Sequence, residues 1–144
     1  MKLELRFPAS PENAADHAQL AVAVAREEYE EPLDFSPGSL DPVDRHIESL
    51  RDQGLNGEDV AELLFVFGCY VGEVMVRSLG GQWAATSLSS LSAISPWPMV
   101  VVLRDGSTWD PIGKAYLRLE LGDTEYLPDY FAMAAAGRPG RTPR

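Results

Sequence analysis

The sequence predicts an α+β domain, in which helices at both ends of the chain pack against a small antiparallel sheet. Three observations predict this class. Apolar residues recur at helical spacing over much of residues 10–80. A β-branched run at Pro98 to Leu103 indicates an interior strand, and the Asp105-Gly106 pair that follows is a hairpin signal. Helical spacing then returns after Pro111.

The length and composition indicate one hydrophobic core. With 144 residues, of which 45% are apolar, the chain can bury a core of its own. We therefore assign residues 1–137 to a single α+β domain. Residues 138–144 are basic and lack an apolar anchor, which predicts a disordered tail.

The N-terminal part predicts a strand and then a helix. Residues 2–7 alternate polar and apolar side chains, which is typical of a short half-buried strand, and Pro8 ends it. Ser10-Pro11-Glu12 is typical of a helix start, with a capping side chain, a proline and an acid in the first turn. We expect this first helix to run to about Tyr29.

The predicted end of the first helix is strongly acidic. Acids near a helix C-terminus oppose the macrodipole, so this end should be weakly held. Two interpretations are open: a contact surface for a partner, or a solvated run of charge. The candidate partner-binding residues are Glu27, Glu28, Glu30 and Glu31.

Two more helices are predicted before residue 81. The second carries a narrow apolar stripe; Ser39 or Asp41 caps its start, and Gly54 follows its end. The third should begin at Asn56 and stop at Gly80-Gly81, and its broad apolar surface predicts the central helix of the domain. The stripe of the second helix consists of Leu40, Val43, Ile47 and Leu50.

Two glycines inside the third helix need a reason. Gly68 and Gly72 share one face, and each costs about 1 kcal/mol in helix propensity relative to alanine. Close approach of another backbone or of a bulky ring would offset that cost. The sequence therefore predicts tight packing at both positions.

The sheet should be built around residues 82–109. Strands are predicted at Gln82 to Ser87 and at Pro98 to Leu103, with a return strand that starts near Ser107. The serine-rich residues between the first two strands predict a loop or a weak strand. Asp110-Pro111 then caps a helix, and a last short helix follows Leu127-Pro128.

Charge and cysteine content limit the classes of partner and compartment. The net charge is −10, and the acidic excess lies in residues 1–80. This argues against nucleic acid, whose binding needs clustered basic residues, and permits a basic protein partner. The other interpretation is that the acids only maintain solubility. The sequence contains neither a membrane-spanning run nor a secretory signal, and the single Cys69 has no partner for a disulfide, so a cytoplasmic protein is expected.

One group of polar residues is a candidate ligand site. Tyr70, Glu73 and Arg77 are three and four residues apart, so they share one side of the third helix. In a pocket with Lys114, Glu73 could hold a ligand cation or act as a base. The Tyr70 hydroxyl can also donate to the Glu73 carboxylate. In the other interpretation the Glu73–Arg77 pair closes on itself, or reaches Lys114, and orients the sheet against the helix. We predict no catalytic residue, no metal site and no cofactor, because no motif for them is present.

Three short motifs resemble those of a family of uncharacterised bacterial, chiefly actinobacterial, proteins. The motifs are Gly68-x-Tyr70-x-Gly72-Glu73, Gly80-Gly81-x-Trp83 and Asp110-Pro111-x-Gly113-Lys114. The resemblance covers roughly residues 33–131. It implies a compact α+β domain and no catalytic role for any residue.

The sequence thus favours a non-catalytic cytosolic protein that neutralises or regulates a basic protein partner through its acidic surface. The alternative is a small-ligand-binding protein or enzyme whose pocket is formed by Tyr70, Glu73, Arg77 and Lys114. The sequence does not define the oligomeric state.

Overall fold

The structure is a computed structural model that describes residues 5–137. In this range the chain forms helices and one antiparallel sheet, which confirms the predicted α+β class. The helices are α1 (Ala14–Tyr29), α2 (Leu40–Asp52), α3 (Ala61–Leu79), α4 (Pro111–Leu121) and α5 (Leu127–Ala135). The strands are β1 (Gly81–Ala85), β2 (Met99–Leu103) and β3 (Thr108–Trp109), and they lie side by side in the order β1-β2-β3.

Helix α3 is the central element, as predicted. Every residue from Leu64 to Met75 is buried, because α1, α4 and the sheet all pack around this helix. A helix that is buried on all sides is typical of a domain core. The facing side of α1 is rich in alanine, which lets the two helices approach closely. The buried alanines of α1 are Ala14, Ala18, Ala21 and Ala25.

The two glycines of α3 mark its closest contacts. A Cβ atom added to Gly68 would lie 2.5 Å from the Cα atom of Ile112 in α4. A Cβ atom added to Gly72 would overlap the indole ring of Trp83, which projects from β1. The two predicted causes, a neighbouring backbone and a bulky ring, are both confirmed. Glycine at these positions therefore sets the distance of α3 from α4 and from the sheet.

The sheet follows the predicted order of strands and turn. β2 is the middle strand, and its Val101 lies opposite Trp83 of β1 and opposite Trp109 of β3. Asp105 and Gly106 form the turn between β2 and β3, and Gly106 takes a positive φ of 89° there. This conformation favours glycine, which is why the Asp-Gly pair predicts the hairpin.

Some element boundaries differ from the prediction. Helix α3 starts at Ala61 and not at Asn56, because Asn56 and Asp59 form a closed turn first. Each of these side chains accepts a hydrogen bond from the other residue's backbone N–H, at 2.8 and 3.0 Å. Residues 5–7 form no strand. The rest of the strand predicted at residues 2–7 lies outside the described residues, as does the predicted tail at 138–144.

A buried ion pair joins three helices. The guanidinium group of Arg118 in α4 donates to both carboxylate oxygens of Asp44 in α2, at 2.8 and 3.1 Å, and to Glu48 at 2.7 Å. Asp44 also accepts a hydrogen bond from the backbone N–H of Leu127 at the start of α5. Because charges taken out of water need such compensation, this group fixes how α2, α4 and α5 meet.

Candidate functional site

The carboxylate of Glu73 lies in a closed structural environment. Its side chain is buried, with 7% of the residue exposed. One oxygen accepts from Nε of Arg77 at 3.1 Å and the other from the indole N–H of Trp83 at 2.9 Å. The guanidinium group of Arg77 also lies 3.7 Å from the ring centroid of Phe35. The predicted Glu73–Arg77 ion pair is therefore present, and the Trp83 hydrogen bond adds to it.

The two other candidate ligand residues bond elsewhere. The hydroxyl of Tyr70 accepts from the backbone N–H of Phe35 at 2.8 Å and bonds the Ser39 hydroxyl at 2.6 Å, so the expected bond from Tyr70 to Glu73 is replaced. Lys114 pairs with Glu125 at 2.6 Å. The structure thus brings Glu73 and Arg77 together but engages Tyr70 and Lys114 in separate contacts. Ligand binding by the four residues stays a prediction.

The acidic residues at the end of α1 are mostly exposed. Glu27, Glu28 and Glu30 point into solvent, and Glu31 is half-buried beside Arg45 at 3.7 Å. Glu30 has a positive φ of 54°, a conformation that glycine usually supplies at a helix end. Both this conformation and the negative charges are unfavourable for the helix, so stability does not explain these residues.

A groove of about 420 Å³ lies between helix α4 and the loop that precedes β2. We call it the Trp97 groove. Its charged groups are the carboxylates of Asp110 and Glu120, and none of its lining residues is basic. Aromatic and aliphatic side chains form most of the wall, as is usual for binding sites. These side chains are Leu91, Ile94, Pro96, Trp97, Tyr116 and Leu117.

Asp110 holds the two walls of the groove together. One oxygen caps α4 by accepting from the backbone N–H of Gly113 at 3.0 Å, which is the N-cap role predicted for this residue. The other accepts from the hydroxyl of Ser95 at 2.9 Å. In the lining of the groove, the ring of Trp97 from the loop stacks on the ring of Tyr116 from α4, with 4.3 Å between the ring centroids. The loop is therefore fixed to α4 by one polar and one aromatic contact.

The electrostatics of the groove are negative. Burial raises the pKa of Asp110 above its usual range, although the bonds from Gly113 and Ser95 oppose the rise. Burial, and then the charge of Glu62, raise the pKa of the Tyr116 hydroxyl. The basic side chains of α4 are engaged elsewhere, since Lys114 pairs with Glu125 and Arg118 with α2. A cation entering the groove would thus meet the carboxylates of Asp110 and Glu120 and no basic side chain of the lining.

Exposed apolar residues lie beside the groove. Ile94, which lines it, is 65% exposed, and Leu121 is 56% exposed. Leu121 stands one helical turn after the lining residue Leu117 on α4, so the two share a face. Large apolar side chains grouped at a surface are characteristic of a contact site.

Local sequence patterns give little indication of this groove. The sequence predicts Asp110 as a helix cap, and Trp97 is half-buried in the groove wall. The available signal was the unexplained Ile94 in a serine-rich loop next to Pro96-Trp97-Pro98. Contacts between this loop and α4 span 15 or more residues, as in the bond from Ser95 to Asp110, and no local pattern reports them.

Residues 5–137 also lack two other kinds of site. No helix there has both the length and the apolar character to cross a membrane. The same residues contain no group of three or more potential ligands that could hold a metal ion. In comparisons with known proteins, no family model matches the chain, and neither a curated protein nor a solved structure is significantly similar. The resemblance to the actinobacterial family therefore stays a prediction.

Proposed function

We propose that this protein is a non-catalytic cytosolic binding protein that neutralises or regulates a basic protein partner. One observation carries the proposal: Glu27, Glu28 and Glu30 lie exposed at the end of α1, where negative charge disfavours the helix. Glu27 and Glu62 line the same cleft between α1 and α3, together with Arg6. Glu120 lies exposed at the rim of the Trp97 groove.

The arrangement of ion pairs supports a role for these charges in binding. Inside the domain, Glu73, Asp44 and Glu125 each have a cationic partner. At the end of α1, Glu27 and Glu28 stand exposed at the helix terminus that disfavours them. Internal charges are thus compensated, whereas Glu27, Glu28 and Glu30 point into solvent at the end of α1. Complementary charge of this kind increases association rates and selects partners.

The experiment is a pull-down from native lysate with the full chain as bait, followed by affinity measurement on each recovered protein. We expect basic proteins to be recovered at low salt, with affinity that falls as salt increases, because exposed charges are screened. A bait in which Glu27, Glu28 and Glu30 are changed to lysine should lose them.

The matched control changes the same number of exposed acids outside the end of α1, namely Glu12, Asp16 and Asp123, to lysine. This control bait has the same net charge as the first variant. If both baits lose the partner equally, only overall charge matters and the proposed surface is wrong. Failure of the wild-type bait to bind any basic protein at low salt would overturn the function itself.

A further inference from the structure

We propose that the Trp97 groove binds an arginine side chain that is flanked by apolar residues in the basic partner. This proposal rests on the proposed function and specifies which group of the basic partner the groove would bind. It combines three features of one groove: an aromatic wall, an acidic floor and rim, and exposed aliphatic residues at the edge.

The aromatic wall suits a planar cation. Trp97 and Tyr116 stack at an interplanar angle of 25°, which fixes the indole ring as a rigid surface on the groove wall. Cations bind to aromatic faces, most strongly to that of tryptophan, and arginine does so more often than lysine. A guanidinium group stacks on such a ring while its N–H groups remain directed at acceptors in the plane.

The acceptors are placed at the floor and rim of the same groove. The carboxylate of Asp110 accepts two hydrogen bonds within the protein, and a carboxylate has about four acceptor positions, so it can accept more. Glu120 lies exposed at the rim, one helical turn after Tyr116. Because no lining residue is basic, an entering arginine meets no competing cation.

The exposed aliphatic residues account for the flanking positions. Ile94 and Leu121 are exposed next to the groove, where a partner could bury them. Apolar residues beside the arginine would bury them. A uniformly charged segment could place an arginine in the groove, but it would leave Ile94 and Leu121 exposed and gain nothing from their burial. The groove thus favours an amphipathic basic segment over a purely basic one.

The test uses three blocked hexapeptides as probes, with affinities measured by calorimetry on the full chain. Leu-Arg-Leu-Arg-Leu-Arg should bind at least tenfold more tightly than Gly-Arg-Gly-Arg-Gly-Arg and than Leu-Gln-Leu-Gln-Leu-Gln. Equal affinity for the glycine-arginine peptide would show that the protein recognises charge alone and not the apolar flanking residues. Equal affinity for the glutamine peptide would show that no cation is bound in the groove. Either result overturns the inference.

Substitutions in the Trp97 groove then test whether the peptide binds there. Trp97→Ala, Glu120→Gln and Leu117→Lys should each weaken binding of the leucine-arginine peptide, by about tenfold for Trp97→Ala. Glu12→Gln, an exposed glutamate outside the groove, should leave affinity unchanged. Leu117→Lys and Glu120→Gln alter half-buried or exposed side chains, so they test the groove even if Trp97→Ala unfolds.

The outcomes separate this inference from the proposed function. If the groove variants bind the peptide as the wild type does, while the lysine variant of the α1 end loses basic partners, the function stands and the groove assignment is wrong. If the wild type binds no arginine peptide and retains no basic protein, both fail together.

Discussion

Gly68 and Gly72 are the residues at which α3 tolerates no side chain. We expect Gly68→Ala to destabilise the domain by about 1–3 kcal/mol, because its Cβ atom would meet the Cα atom of Ile112, which cannot move aside without moving α4. The gain in helix propensity, about 1 kcal/mol, only partly offsets this cost. Urea unfolding followed by circular dichroism would measure the difference.

Gly38→Ala is the matched control for this substitution. Its added Cβ atom has only the Ser36 hydroxyl nearby, at 3.9 Å, and its φ angle suits other residues. It should change the free energy of unfolding little. If Gly68→Ala were as stable as Gly38→Ala, the close contact between α3 and α4 would be wrong.

His46 gives the domain a pH dependence near neutrality. Its ring is buried, stacks on Tyr29 at 3.9 Å, and its Nε2 atom has no hydrogen-bond partner among residues 5–137. Burial lowers the pKa of His46 below its usual value; the negative charge of Glu31 opposes the shift, and Arg45 adds to it. The folded state therefore resists the proton that the unfolded state accepts below about pH 6.5.

Stability should consequently fall as the pH decreases from 7.5 to 5.5, by at most about 1.4 kcal/mol per pH unit for this one proton. Urea unfolding at several pH values would measure the slope. His46→Phe keeps a ring on Tyr29 and removes the titrating group, so its slope should be smaller. An unchanged slope would mean that another group is responsible.

At the scale of elements, the acidic residues at the end of α1 should lower the stability of the helix while they promote binding of the partner. Changing Glu27, Glu28 and Glu30 to lysine should raise the melting temperature, because cations at a helix C-terminus gain about 0.3–1 kcal/mol each. The same changes should abolish binding of the basic partner. Thermal unfolding by circular dichroism at low salt tests the first effect, and a lower melting temperature would show that these acids have structural partners.

The remaining elements show what local patterns predict. The helices, the interior strand β2 and the Asp105-Gly106 turn follow from residue spacing, because hydrophobic periodicity and turn chemistry act over a few residues. The start of α3 was placed at Asn56 because this residue type caps helices, yet it pairs with Asp59 in a separate turn. A capping residue marks a turn or a helix equally well.

The candidate site was less accessible to sequence reasoning. The Glu73–Arg77 pair follows from a spacing of four on one helix, and it is present. The partners of Tyr70 and Lys114 come from other elements, Ser39 and Glu125, which no helical spacing connects. The Trp97 groove was missed for the same reason, since its walls meet only in the folded chain.

At the scale of the whole molecule, the net charge of −10 disfavours compaction. We expect the melting temperature to rise as sodium chloride increases from 20 to 500 mM, because salt screens repulsion between surface acids. Differential scanning calorimetry would measure the change. The lysine variant at the end of α1 should respond less. A decrease with salt would instead indicate that surface ion pairs such as Arg45–Glu31 dominate.

The thiol of Cys69 can report how often the core of the folded protein opens. The sequence holds one cysteine, it lies fully buried on α3, and burial raises the pKa of its thiol well above the usual value. A thiol reagent will therefore label the chain only when the core transiently exposes α3. Mass spectrometry of the labelled fraction over time would then yield opening rates for the native protein in water, without denaturant or an introduced probe.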